Sequence, residues 1–167
     1  MARIGDSDFR AASLYQRSLD ALEGHGVTRD DVESFRFNVE AADLGYHDAI
    51  LAMGWFYLNG IGTPQDLDLA RVWYTKSART GEPIAMFSLG QIAYAAREWE
   101  AALRWLTMAA EKGHVRSLFW IGKMMWRGNG IERDKKEAMA LFRRAADARV
   151  PEAKRALRCL SKNRTER

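Results

Sequence analysis

The feature that most constrains this chain is an internal period. Short segments built on paired small residues recur along it: Ala41-Ala42-Asp43-Leu44-Gly45, Ser77-Ala78-Arg79-Thr80-Gly81, Ala109-Ala110-Glu111-Lys112-Gly113 and Ala145-Ala146-Asp147-Ala148-Arg149. Their spacings are 36, 32 and 36 residues. Nine residues after each closing glycine stands another: Gly54, Gly90 and Gly122. A third pair recurs as Gly60 and Gly62, then Gly128 and Gly130; Gly24 and Gly26 lie one period before the first pair. A fixed period of this length marks an array of supersecondary units, because one such unit cannot bury its apolar face alone.

Each unit reads as helix, loop, helix. Ala, Leu, Arg, Glu and Met dominate the chain and favour helix, while runs of Val, Ile and Thr suited to strands are missing. Asp30, Asp66 and Asp134 share a phase four residues after the second loop glycine, where a carboxylate can accept the free N–H groups that open a helix. Pro83 and Pro151 share a phase just past a unit boundary, where proline suits a first helical turn. The period predicts A helices over 8–22, 47–58, 83–96 and 115–127. It predicts B helices over 30–43, 66–79, 99–111 and 134–147, and a last helix over 151–161. Gly54, Gly90 and Gly122 fall inside A helices, where glycine costs about 1 kcal/mol against alanine. Their shared phase implies close approach of the paired B helix, with Ala70, Ala102 and Ala138 opposite.

The residues Met53-Gly54, Tyr57, Gly60-Ile61-Gly62, Asp66, Ala70, Trp73-Tyr74, Ser77-Ala78 and Gly81 together resemble the Sel1-like repeat, a relative of the tetratricopeptide repeat. The unit ending at Gly113 keeps Leu89-Gly90, Ala102, Trp105-Leu106 and Ala109-Ala110, but has lost about four loop residues around Ala95–Glu98. The unit ending at Arg149 keeps Ile121-Gly122, Gly128-Asn129-Gly130-Ile131, Asp134, Ala138, Leu141-Phe142 and Ala145-Ala146, with Arg149 replacing the closing glycine. The first unit departs most: Ser18 replaces the helix glycine and Phe37-Asn38 replaces Trp-Tyr. The resemblance implies an all-α, α-α superhelix (solenoid) of about four helix pairs plus a C-terminal capping helix. It forms a single domain over 1–167, with units of about 9–45, 46–81, 82–113 and 114–149 and a cap over 150–162. Such proteins act as non-enzymatic scaffolds or adaptors that bind a peptide or partner protein. Their contexts include bacterial regulation, secretion and neutralisation of toxic effectors.

By the same resemblance the A helices line a concave groove. Counted from the helix glycine, phases −4, −1 and +3 would fill the core, with Ile50, Met53, Tyr57, Leu89, Leu118 and Ile121. Phases −6, −3, +1, +4 and +5 would face the groove. The groove then holds Tyr15, Leu51, Trp55, Leu58, Phe87, Gln91, Tyr94, Arg116, Phe119, Lys123, Trp126 and Arg127, with Leu19, Leu22, Asp48 and Ile84 beside them. The alternative reading of Trp55, Phe87 and Phe119 is that they pack against the next repeat. Aromatic and Arg side chains are enriched where interfaces concentrate their binding energy. Arg116, Lys123 and Arg127 would favour acidic ligand groups.

Charge is unevenly spread. Residues 1–70 carry 5 Lys+Arg against 12 Asp+Glu, a net of −7, and residues 71–167 carry 21 against 10, a net of +11. Such a field can orient a partner. The basic stretch from Lys154 to Arg167 also allows binding of nucleic acid or an anionic surface. That remains the weaker reading, because residues 1–153 sum to −1. His25, His47 and His114 form no metal-ligand spacing with Cys159 or the acids, and the Gly-x-Gly loops lack the strand and Lys-Ser/Thr of a phosphate cradle. No catalytic group, metal or cofactor is therefore expected. Cys159 is the only cysteine, no N-terminal apolar leader is visible, and no apolar run approaches a membrane span. These point to the cytoplasm. Leu14, Leu157 and Leu160 on end helices would allow a homo-oligomer.

Overall fold

The computed structural model describes residues 4–165, with side-chain environments for 7–161. Among the described residues there are nine α-helices and no strand. They are α1 (Ile4–Glu23), α2 (Asp31–Asp43), α3 (His47–Asn59), α4 (Leu67–Ala78), α5 (Pro83–Ala95), α6 (Trp99–Glu111), α7 (Arg116–Arg127), α8 (Lys135–Asp147) and α9 (Pro151–Thr165). The chain divides between Thr80 and Gly81 into two compact units. In the first, α1 packs on α2, α2 on α3, and α3 on α4; in the second, each helix from α5 to α9 packs on the next.

The local signals act as their chemistry requires. Asp30 precedes α2 and accepts the backbone N–H groups of Val32 and Glu33; Asp66 does so for Asp68 and Leu69, and Asp134 for Lys136 and Glu137. Each carboxylate supplies an acceptor to donors that have no partner within the helix. Pro83 begins α5 and Pro151 begins α9. At the end of α8, Arg149 holds φ 65°, the left-handed turn that Gly113 makes at φ 87° one repeat earlier. The turn survives the loss of its glycine, with a backbone strain of order 1 kcal/mol at Arg149.

The space at the helix glycines is used differently from the sequence expectation. A methyl group on Gly54 would lie 2.6 Å from the Tyr74 ring, one on Gly90 2.7 Å from Leu106, and one on Gly122 2.9 Å from Phe142. The nearest partner is therefore the bulky B-helix residue one turn beyond Ala70, Ala102 or Ala138; at Gly122 the Ala138 carbonyl oxygen is also within 3.2 Å. In the first repeat Ser18 replaces the glycine, and the B helix carries Ser34 and the smaller Asn38 at these phases. Ser18 and Ser34 hydroxyls lie 3.2 Å apart, Ser34 donates to the Ser18 carbonyl at 2.8 Å, and all three residues are buried.

The core stripe is rotated by about one residue from the expected phases. Ile50, Met53 and Leu89 are buried, but Tyr57, Leu118 and Ile121 are only half-buried. The deep positions include Phe56, Ile92 and Met124, two residues after the helix glycine, and Ala49, Ala85 and Ser117, five before it. The small residue at the latter phase leaves room for the preceding B helix in the first unit, where Asn38 of α2 donates to the Ala49 carbonyl at 3.0 Å.

The loops lock neighbouring repeats. A methyl group on Gly62 would overlap the Asp31 carbonyl oxygen at the start of α2, and one on Gly130 would meet Trp99 at the start of α6, 2.5 Å from its Cβ. The second loop glycine thus sits on the opening turn of the preceding B helix. Gly26 belongs to the first repeat and has no atom within 4 Å of such a methyl group. Between α5 and α6 the loop is cut short, and Arg97 takes the left-handed turn at φ 61°.

Candidate functional site

In the first unit, Leu51 and Leu58 are half-buried and Trp55 is 39% exposed, its ring edge-on to Phe56 at 5.3 Å. Tyr15 packs at 5.2 Å on Tyr46. Burial, then the negative charge of Asp48, hold its phenol above the usual tyrosine range. Leu14, offered above as an end-helix contact, is instead in the core with Phe37, Ala41 and Met53.

In the second unit, Phe87 is 7% exposed and its ring lies 4.3 Å from His114. It packs on the residue that ends the turn before α7 and does not present a surface to a ligand. Gln91 and Tyr94 are half-buried. Tyr94 anchors a cluster: Trp99 and Trp120 meet it edge-on at 5.3 and 5.0 Å, and its hydroxyl accepts from Arg127 at 3.1 Å. The Lys123 ammonium lies over the Trp120 and Tyr94 rings, 4.3 and 4.8 Å from their centroids. Arg116 is exposed and pairs with Glu152 of α9 at 2.8 Å, so an acidic ligand group there would compete with a carboxylate of the chain itself.

Four of the groove residues converge on one cleft. Phe119, Lys123, Trp126 and Arg127 from α7 form one wall; Ala156, Cys159 and Leu160 from α9 form the other; Phe142 of α8 closes the floor. The volume is about 230 Å³. Phe142 lies 5.6 Å from Phe119 and 6.4 Å from Trp126. No carboxylate lines the cleft. Among the described residues neither Lys123 nor Arg127 has an ion-pair partner. Aromatic rings hold the ammonium by attraction to their π faces and leave its N–H donors available. The arrangement suits an apolar side chain accompanied by a carboxylate.

The α9 wall was missed by sequence reasoning that treated this helix as a cap. Counting one further period of 36 from α7 would have placed only Cys159 at a groove phase, that of Lys123; Ala156 falls at the phase of Trp120 and Leu160 at that of the buried Met124. Trp120, the partner of Tyr94, was missed because its phase lies between the assigned core and groove.

Among the described residues the three histidines lie apart from one another. His25 pairs with Glu23 at 3.1 Å on the surface, His47 lies 3.4 Å from the Thr80 hydroxyl, and His114 Nδ1 lies 3.0 Å from the Ser117 hydroxyl. Burial, reinforced by Arg116, lowers the His114 pKa against a smaller opposing effect of Glu82. Among the described residues no group of three or more His, Cys, Asp or Glu could hold a metal ion. No described helix is long and apolar enough to cross a membrane.

The family model of the Sel1 repeat matches residues 9–46, 47–81, 100–114 and 115–149. The third match covers little more than α6, where the preceding loop is shortened. Among curated proteins, an exopolysaccharide production negative regulator of Rhizobium leguminosarum bv. viciae is 33% identical over 122 residues, covering 62% of this chain and 46% of that protein. Chitin synthase regulatory factor 3 of Schizosaccharomyces pombe is 27% identical over 160 residues, 92% of this chain and 17% of that protein. The chain thus spans less than half the length of either. Two solved structures share the fold. One is a protective antigen present in uropathogenic Escherichia coli strains, displaying an SLR fold, with TM-score 0.80, 27% identity, and 86% of this chain and 32% of that chain covered. The other is a Sel1 repeat protein from Oxalobacter formigenes, with TM-score 0.79, 26% identity, and 86% and 60% covered.

Proposed function

The chain belongs to the Sel1 repeat family, and from that premise we propose that it is a non-enzymatic adaptor that binds a partner protein or peptide through the groove-side residues of its A helices. The observation that carries this reading is the set of large and cationic side chains left available there. Trp55 is 39% exposed, and Lys123 and Arg127 stand without acidic partners beside an aromatic-floored cleft. An exposed tryptophan in one unit, and cations without acidic partners beside an aromatic cleft in the other, are each poor choices for a merely solvated surface and good ones for an interface. The regulator names of the two curated relatives support a regulatory adaptor. The exposed thiol of Cys159 supports a reducing compartment such as the cytoplasm.

The test is affinity purification with mass spectrometry, comparing the wild-type chain with a Trp55→Ala/Trp126→Ala double variant of unchanged helical circular dichroism. Proteins recovered with the wild type and lost with the variant support the reading; identical recoveries refute the A-helix face. A second reading, binding of nucleic acid or an anionic surface, draws on the exposed Lys154, Arg155 and Arg158 of α9. Its mark is an affinity for DNA or RNA that falls steeply with salt.

A further inference from the structure

The second unit contains the same inter-repeat joint twice, and the two copies are filled differently. In the joint of α5 with α7, the Trp120 indole packs on Tyr94 at 5.0 Å. One period of 36 residues later, in the joint of α7 with α9, the position of Trp120 is held by Ala156. The position of Tyr94 is held by Trp126, since each lies four residues after its helix glycine. The frame is secure on both sides, because the left-handed turns at Gly113 and Arg149 are also 36 residues apart and each leads directly into the next helix. The cleft of about 230 Å³ thus adjoins the position that an indole fills in the preceding joint; the same phase holds Ala52 in α3 and Ser88 in α5, so the indole is particular to α7.

We infer that this cleft takes an aromatic side chain from an acidic peptide segment of a partner protein, with a neighbouring carboxylate held by Lys123 and Arg127. The inference rests on the adaptor reading above and specifies its partner chemistry. Aromatic character follows from the equivalence with Trp120 and from a floor and wall of Phe142, Phe119 and Trp126. Acidic character follows from charge complementarity. The cleft lining has two cations and no carboxylate, and a third ammonium, that of Lys135, lies 5.4 Å from the centroid of its Trp126 ring. Lys123 is half-buried over two rings and Arg127 is oriented by the Tyr94 hydroxyl, so both donors are held in place before a ligand arrives. Such preorganisation lowers the ordering cost of binding.

The probe is a fluorescein-labelled synthetic dodecapeptide with one central tryptophan flanked by aspartates, titrated with the full chain and followed by anisotropy. Saturable binding is expected, weakened at least tenfold when the peptide tryptophan becomes alanine or its aspartates become asparagine. Ala156→Trp should refill the cleft with the chain's own indole and abolish binding at unchanged circular dichroism. Should Ala156→Trp disturb folding, Lys123→Gln/Arg127→Gln tests the anion contact from the opposite wall and should weaken binding at least tenfold. Absence of saturable binding, or equal binding by wild type and both variants, overturns the inference. Concentration-dependent dimers in sedimentation that vanish in Ala156→Trp also overturn it, by making a second copy the occupant. In each of these failures, recovery of partner proteins with a Trp55→Ala single variant, whose changed residue lies outside the cleft, is a separate measurement, so the adaptor reading stands or falls on its own.

Discussion

Ser18, Ser34 and Asn38 stand at the phases that hold Gly54, Ala70 and Tyr74 one repeat later, and the exchange is a compensated one. Where the B helix carries a tyrosine ring, the A helix has no side chain; where the ring is lost, a hydroxyl enters and finds a partner. Gly54→Ser should therefore overpack the joint and destabilise the chain by about 1–3 kcal/mol. Adding Tyr74→Asn should recover part of that loss. In urea melts the double variant should be at least ~0.5 kcal/mol more stable than additivity of the single changes allows; strict additivity would show that the two sites do not share this space. His114 supplies a second test. Its folded-state pKa is lowered below 6.5, chiefly by burial, so the neutral ring is the form the fold favours. That contribution is present above the ordinary histidine pKa and is lost as pH falls through and below it. Between about pH 7.5 and 5.5 the urea midpoint of His114→Gln should fall less than that of wild type. Equal slopes would remove His114 as a cause.

At the scale of elements, local chemistry was legible and packing partners were not. Asp30, Asp66 and Asp134 could be read as caps because a carboxylate and the N–H groups it accepts lie within three residues of one another. Replacing Asp134 by alanine should cost about 1 kcal/mol, measured by denaturation. That Tyr74 supplies the nearest atoms to Gly54 was not legible, because it depends on how the B-helix side chains pack across the joint, a tertiary fact. The cleft wall at Ala156 was harder still, since its signal is a side chain that is not there. Phe87 looked like a ligand contact because aromatic residues serve cores and interfaces alike; only its packing on His114 decides. Loop docking separates in the same way. Gly26 and Gly130 both have positive φ, 72° and 68°, but only Gly130 sits against a helix, at Trp99. Alanine at either position incurs the strain of a left-handed residue, about 1 kcal/mol. At Gly130 it must also displace Trp99. Gly130→Ala should therefore lower the melting temperature by clearly more than Gly26→Ala, and equal shifts would mean that the Gly130 loop does not bear on α6.

Across the whole molecule the sequence separates charge by sign, −7 over residues 1–70 and +11 over residues 71–167. The cleft lies within the positive stretch, and the basic side chains Lys154, Arg155 and Arg158 of α9 are exposed on the helix that forms one of its walls. An acidic partner approaching from solution meets an attractive field before it makes any contact, and that field acts on the rate of encounter more than on the lifetime of the complex. Mobile ions remove it in proportion to screening, whose length falls from about 10 Å at 0.1 M salt to about 3 Å at 1 M. Short-range contacts inside the cleft, such as a carboxylate on Lys123, are screened less. Stopped-flow association of the acidic dodecapeptide should therefore slow by roughly tenfold between about 0.05 and 0.5 M salt, while dissociation changes by less than about threefold. Lys154→Glu/Arg158→Glu should slow association at low salt and leave dissociation nearly unchanged, because neither side chain lines the cleft. If salt and these charge reversals acted mainly on dissociation, the basic surface would be part of the contact itself and not a field that guides the partner to it.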